Sequence, residues 1–234
     1  MQNKGLFLSD IEWRDGTLPI SKHFDDPYYS KEDGRAETAH VFITGNNLPQ
    51  RWNKSEHFTI AELGFGTGLN FLETVYQWQA LADVTARLNF ISFEAFPLKA
   101  EDARTALSSW PELEILADCL LDFWHWDGTG LQIDFAPNIH LRVFEGDANQ
   151  ALPAQNLNAD AWYLDGFSPA KNPELWNENL IHEVGRNTRT GGTFATYTSA
   201  GFVRRNLQAA GFEVSKVPGF GRKREMLAGI KHAT

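Results

Sequence analysis

Cysteine is nearly missing from this chain of 234 residues: Cys119 stands alone, which excludes an intramolecular disulfide and any metal site built on several thiolates. No stretch approaches the ~20 consecutive apolar residues that a membrane-crossing helix needs. The opening MQNKGLFLSD also lacks the apolar run of a secretory signal, so a cytoplasmic protein with no membrane partner is expected. Cations are in deficit, with a formal charge of -9, which argues against broad non-specific binding of nucleic acid while leaving room for a local basic face. The seven histidines, at 23, 40, 57, 125, 140, 182 and 232, include no pair at the i, i+4 spacing that sets two ligands on one helix face, so no metal is expected. Internal repeats and low-complexity runs are absent as well.

What the chain does have, 42% hydrophobic and 13% aromatic residues, suffices for one sizeable core, most simply a single α/β domain with an N-terminal addition. The stretch that organises it is Thr59 to Phe71, TIAELGFGTGLNF, which passes from an apolar strand through Gly64, Gly66 and Gly68 into a helix. Alternate glycines tolerate positive φ and let a ligand lie against bare backbone, and a helix starting near Leu69 and Asn70 points unpaired N–H groups at that turn. A dinucleotide fingerprint would need glycine at Leu69, and a phosphate-cradling loop would need a Lys-Ser/Thr pair that is also missing.

Residues 1–56 read as an extension packed on a main domain of residues 57–234, with short apolar patches around Phe7 and at His40 to Thr44 as candidate strands. Within the extension, FDDPYYS (Phe24 to Ser30) reads either as a turn anchored by buried rings or as a lid over a ligand, with Tyr28 among the candidate contacts. From Thr59 onward strands and helices alternate. Residues 70–82 carry helical spacing, Arg87 to Phe93 is a second strand ending on Glu94, and Lys99 to Trp110 is a helix stopped by Pro111. An acid at the end of the second strand is placed to accept both hydroxyls of a ribose.

The segment from Glu112 to Asn138 interrupts the rhythm, and its Trp124 and Trp126 are open to two fates, buried packing or stacking on a flipped base. Leu131 to Ala136 and Ile139 to Glu145 form a hairpin. Asp147 closes the third parallel strand, where a carboxylate can accept from an adenine amine. Ala161 to Leu164, fully apolar, suits the sheet centre and opens into Asp165-Gly-Phe-Ser-Pro-Ala-Lys-Asn-Pro173, a stiffened loop at the edge where open α/β sheets bind ligands. Leu175 to Val184 is helical, Gly191-Gly192 breaks it, and Thr193 to Tyr197 is the fifth strand. Ser199 caps a helix ending before Gly211, and Phe212 to Val217 with Met226 to Ile230 make an antiparallel pair.

The pattern Glu-x-Gly-x-Gly-x-Gly resembles the first motif of S-adenosylmethionine-dependent methyltransferases, in which the acid two residues before the first glycine, here Glu62, steadies the loop and the amino-acid end of the cofactor. Taken with FISFEAFPL, LDGFSPAKNP, TSAGFVRRNLQAAGF, GFGRKREML and FDDPYYS, nearly the whole chain resembles the methyltransferase domain of the bacterial tRNA-modifying MnmC family and its single-domain MnmD relatives. The resemblance implies a Rossmann-like methyltransferase fold: a mostly parallel seven-stranded sheet with an antiparallel last strand, plus the N-terminal extension and an inserted hairpin. It implies methylation of 5-aminomethyl-2-thiouridine at the tRNA wobble position, with S-adenosyl-L-methionine as methyl donor.

On that resemblance Asp165 is the catalytic group beside the transferred methyl. Glu62, Gly64, Gly66, Gly68, Asn70, Glu94 and Asp147 surround the cofactor, and Phe167 and Pro169 wall the base. Lys171, Arg204, Arg205, Arg222, Lys223 and Arg224 face tRNA phosphates. Two-domain members of the family add an FAD-dependent oxidase that prepares the substrate. This chain stops at Thr234 with no second glycine fingerprint, as expected of either a single-domain, monomeric member or a fragment, with the oxidase separate or fused. The rival readings are an N-methyltransferase of a small amine or a protein, an aminopropyltransferase-like enzyme, and a non-catalytic nucleotide-binding module.

Overall fold

In the computed structural model, which describes residues 8–53 and 55–233, strand β8 (Ala159–Leu164) is buried at every position, as a strand covered by helices on both faces must be. β4 (His57–Leu63) pairs with it in parallel on one side and β9 (Thr188–Thr196) on the other. Outward from β4 lie β5 (Arg87–Glu94), β7 (Ile139–Glu145) and the edge strand β6 (Leu131–Ala136). Outward from β9 lie β11 (Glu225–Lys231) and then β10 (Phe212–Pro218). β11 runs antiparallel between β9 and β10, as the resemblance implies, and β6 runs antiparallel to β7. The expected hairpin is therefore not an appendage: its first strand is the eighth strand of the sheet.

The two-residue period of the strands sorts the core into two layers. Phe58 and Ile60 of β4 join Leu88 and Phe90 of β5 on the face covered by α3 (Leu69–Leu81), α4 (Ala100–Leu107), α5 (Glu114–Leu121) and the N-terminal segment. Ala61, Leu63 and Phe93 face the opposite layer, built from α6 (Ala148–Ala151), α7 (Glu178–Arg186) and α8 (Gly201–Ala209). The N-terminal segment carries a small antiparallel sheet of β1 (Ile11–Arg14), β2 (Leu18–Ser21) and β3 (Asp26–Pro27), then α1 (Gly34–Thr38) and α2 (Leu48–Trp52). Among the described residues no helix is long and apolar enough to cross a membrane.

Several local expectations are corrected. The candidate strand at His40 to Thr44 is a π-helical turn, Ala39–Thr44, continuing α1, which is capped by Asp33, whose side chain accepts from the Ala36 N–H. Short apolar runs do not separate helix from strand by pattern, and here burial of Val41, Phe42 and Ile43, with Phe42 stacked on Tyr163 at 5.0 Å, decides for helix. The companion patch at Phe7 lies outside the described residues. Gly191-Gly192 does not separate helix from strand either. β9 begins at Thr188 and carries the pair within a bulge, the register with β8 stepping from Ala159↔Thr188 to Ala161↔Thr193. Ala200, not Ser199, is the N-cap of α8, with no side-chain capping bond. The interruption after Pro111 contains α5, whose Ala117, Leu120 and Leu121 are buried.

Candidate active site

The carboxyl ends of β4, β5, β7, β8 and β9 open into a cavity of about 840 Å³, within the range of ligand sites. Its floor is the turn after β4, where Gly64, Gly66 and Gly68 all have positive φ, of 91°, 55° and 80°. The three glycines do different work. A Cβ on Gly64 would overlap the carbonyl oxygen of Asp165, so this glycine lets the ends of β4 and β8 approach. A Cβ on Gly66 would stand 3.2 Å from the Tyr28 ring, across the space a ligand would use. Gly68 points away from the cavity, where a Cβ would meet Leu120 of α5 at 2.8 Å.

The acids at the strand ends fall into a buried and an open set. Glu94, closing β5, is buried; its Oε2 accepts from Gly66 N–H at 2.7 Å and its Oε1 from Phe96 N–H at 2.8 Å. Burial raises its pKa and these backbone donors counter the rise. Asp147 lines the same cavity, exposed, and caps α6 by accepting from Asn149 N–H at 2.9 Å. Glu62 does not line the cavity. It is fully buried beneath α3, accepting from Ser92 Oγ at 2.7 Å and Asn70 Nδ2 at 2.9 Å, and burial pushes its carboxyl up to about 8.

Asn70 joins that buried acid to the one in the cavity. The same Nδ2 donates to Asp165 Oδ2 at 2.7 Å, while Oδ1 accepts from Thr38 Oγ1 at 2.6 Å, an arrangement that fixes which way the amide points. Asp165 is half-buried at the cavity wall. Desolvation pushes its carboxyl up to about 7, the Asn70 bond and the Lys223 charge opposing the rise and Glu37 adding to it. The next residues form the wall: Phe167 stacks on Phe24 at 4.7 Å and meets Tyr28 edge-on at 5.1 Å. The FDDPYYS stretch is thus both anchored turn and cavity wall, with Asp26 accepting from Ser168 N–H at 2.8 Å.

Other expected contacts fall elsewhere. Pro169 is buried and outside the cavity lining, and Lys171 is held by Asp25 and Asp26 of the N-terminal segment. Trp124 and Trp126 are buried against Phe65, Trp124 stacking on it at 5.6 Å, so they support the glycine turn from below. Arg205, Arg222 and Arg224 are exposed; Arg204 is half-buried, with its Nε enclosed and without a hydrogen-bond partner in the described residues. Lys223, exposed along part of its length, also lines the cavity, at its rim. Glu37, Thr38 and Tyr197 were missed by sequence reasoning. Tyr197 follows a parallel strand at its carboxyl end, a signal that could have found it; Glu37 and Thr38 sit in a short helix with no such signal.

Six carboxylates line the cavity, Asp26, Glu37, Glu94, Asp147, Asp165 and Glu174, against two lysines, Lys31 and Lys223. A cavity with bare backbone, hydroxyl-accepting acids and this charge balance fits a cationic nucleoside cofactor and a cationic substrate.

A family model described as S-adenosyl-L-methionine-dependent methyltransferase matches residues 111–232. The chain is 46% identical over 225 residues to the tRNA 5-methylaminomethyl-2-thiouridine biosynthesis bifunctional protein MnmC of Methylobacillus flagellatus, covering 94% of this chain and 35% of that one. The MnmC protein of Aeromonas hydrophila is likewise 46% identical, over 241 residues, covering 98% and 36%. The chain thus spans about a third of the length of the curated relatives it matches. Among solved structures, MnmC2 from Aquifex aeolicus superposes with a TM-score of 0.78 at 25% identity, covering 97% of this chain and 72% of that one. Spermidine synthase from Thermotoga maritima, at a TM-score of 0.59 and 10% identity over 96% of this chain and 72% of that one, shares the fold alone.

Proposed function

The chain belongs to the S-adenosyl-L-methionine-dependent methyltransferase family, and from that premise we propose that it methylates the amine of 5-aminomethyl-2-thiouridine at the tRNA wobble position, giving 5-methylaminomethyl-2-thiouridine. The observation that carries this reading is the acidic cavity, in which Asp165 is held by Asn70 and faces a space walled by Tyr28 and Phe167. The MnmC relatives, named for tRNA 5-methylaminomethyl-2-thiouridine biosynthesis, support the choice of RNA over a free amine.

The cofactor supplies a methyl group already activated on a sulfonium, so the protein's work is alignment and control of the nucleophile. Gly66 would offer bare backbone to it, with Gly64 letting β4 and β8 close up beside it, Glu94 would accept from its ribose and Asp147 from its adenine amine, while Glu62 and Asn70 hold the turn from below. An amine with a pKa near that of lysine, roughly 10.4, is protonated at pH 7, and freeing its lone pair costs about 4 to 5 kcal/mol. Asp165 would bind the arriving ammonium and take its proton first, so that the freed lone pair could attack the methyl carbon, the C–N bond forming as the carbon–sulfur bond breaks. A carboxyl near 7 is matched to that exchange at neutral pH. The ring wall excludes water, which lowers the amine pKa further.

Arg205, Arg222 and Arg224, exposed around α8 and the β10–β11 connection, would contact RNA phosphates. The same reading makes the protein cytoplasmic and monomeric, its substrate supplied by a separate or fused FAD-dependent oxidase. Incubation with labelled S-adenosylmethionine and tRNA lacking this modification, followed by nucleoside analysis, tests the reading. Label in 5-methylaminomethyl-2-thiouridine is the expected result, and label in no nucleoside refutes it.

A further inference from the structure

Of the two lysines that line the cavity, Lys31 pairs with Asp15, and Lys223 brings its ammonium onto an acid and a ring of the cavity itself. Lys223, on the turn between β10 and β11, sends its Nζ to within 3.3 Å of Glu37 Oε1 and 3.8 Å of the centroid of the Tyr197 ring. All three side chains line the cavity together with Asp165. Neither partner is a loose surface group. The Glu37 side chain is 14% exposed and its second oxygen accepts from Ser30 N–H at 2.8 Å. The Tyr197 hydroxyl donates to the Gly166 carbonyl at 2.7 Å, which fixes the ring so that its face meets the ammonium. A carboxylate beside an aromatic face is the chemistry that recognises an ammonium ion.

We propose that Glu37 and the Tyr197 ring form the seat for the cationic amine of the substrate, next to Asp165, and that Lys223 fills this seat in the free protein as an internal stand-in that the substrate displaces. The proposal rests on the amine-methyltransferase reading above and adds to it the residues that select a cation. It also separates Lys223 from its neighbours. Arg222 has a side chain 97% exposed, whereas that of Lys223 is 46% exposed and brings its ammonium to Glu37 and Tyr197 at the cavity rim. A lysine serving as a phosphate contact would strengthen RNA binding; a stand-in competes with the substrate.

The test uses the 5-aminomethyl-2-thiouridine nucleoside, which has no phosphate, and the chain of 234 residues with variants Lys223→Met and Glu37→Gln. Lys223→Met is expected to lower the KM for the nucleoside by about threefold or more, because a competing cation is gone. Glu37→Gln is expected to raise it by about tenfold with S-adenosylmethionine affinity unchanged. An unchanged or raised nucleoside KM in Lys223→Met overturns the proposal, as does a Glu37→Gln variant with wild-type KM. Calorimetry with benzylammonium chloride needs no turnover: tighter binding to Lys223→Met than to wild type supports the seat, and equal binding refutes it. Should the wild type methylate neither tRNA nor nucleoside, the function reading falls, while the benzylammonium titration still decides the seat.

Discussion

Asn70 Nδ2 lies 2.7 Å from Asp165 Oδ2, and the same nitrogen reaches Glu62 at 2.9 Å, so one side-chain amide holds an acid of the cavity and an acid of the core. Its orientation is set from the N-terminal segment, where the Thr38 hydroxyl donates to Oδ1 at 2.6 Å. The carboxylate proposed to take the substrate proton is therefore positioned by a residue at the start of α3 and, through it, by α1.

Removing this amide has two separable effects. Asn70→Ala deprives Asp165 of the hydrogen bond that lowers its pKa, so the acidic limb of the pH profile of kcat/KM should move to higher pH. It also takes one donor from buried Glu62, which keeps the Ser92 hydroxyl, while Thr38 keeps the Gly34 carbonyl, so the loss in stability should be about 1–3 kcal/mol in all. A variant with a lowered Tm but an unmoved acidic limb would make Asn70 a packing residue only.

Asp165→Asn keeps the shape and deletes the charge. Binding of S-adenosylmethionine should be nearly unchanged, while methyl transfer falls by about 10² to 10⁴ and recovers in part as rising pH deprotonates the amine unaided. Single-turnover rates from about pH 6 to 11 read both effects, a range that brackets the carboxyl at about 7 and an amine at roughly 10.4. Near wild-type turnover at neutral pH would show that desolvation alone frees the amine.

Glu94 both faces the cavity and holds the glycine turn through Gly66 N–H. Glu94→Ala should weaken cofactor binding by ~1.5 to 3 kcal/mol, roughly ten- to more than a hundredfold. Calorimetry giving wild-type affinity for this variant would remove the residue from the site.

Stability should fall as pH rises through neutrality. Burial raises the carboxyls of Glu62 to about 8 and Asp165 to about 7, so the folded chain binds more protons than the unfolded one between the unfolded carboxylate values, about 4, and these folded values. The stabilisation is complete below that window and is lost as pH climbs through it. Glu62→Gln removes the larger share, so its Tm should gain on the wild type between pH 5 and pH 8.5, by on the order of a few kcal/mol in stability. Parallel pH–Tm curves for the two proteins would show that Glu62 does not titrate in this window.

RNA binding should rest on a few exposed cations despite the net charge of -9. Arg222→Glu with Arg224→Glu should raise the KM for tRNA severalfold and flatten its salt dependence, with cofactor affinity unchanged. Unaltered tRNA kinetics would move the RNA surface away from the β10–β11 turn.

The order of strands and helices, the glycine turn and the acids at strand ends were legible from sequence because each depends on local pattern: an unbroken apolar run in β8, which is buried throughout, and glycines where φ must be positive. The same locality misled at His40 to Thr44, where an apolar run is helical because of what it packs on, and at Gly191-Gly192, where a bulge in β9 keeps the strand going. The tertiary structure alone decided which charged groups share a space. Lys223 meets Glu37 across 186 positions of chain, Asp165 meets Asn70 across 95, and Lys171 turns to Asp25 across 146, pairings that only folding brings within reach. Sequence spacing records neighbours along an element; an electrostatic site is made by neighbours between elements, and here those come from the N-terminal segment laid across the strand ends.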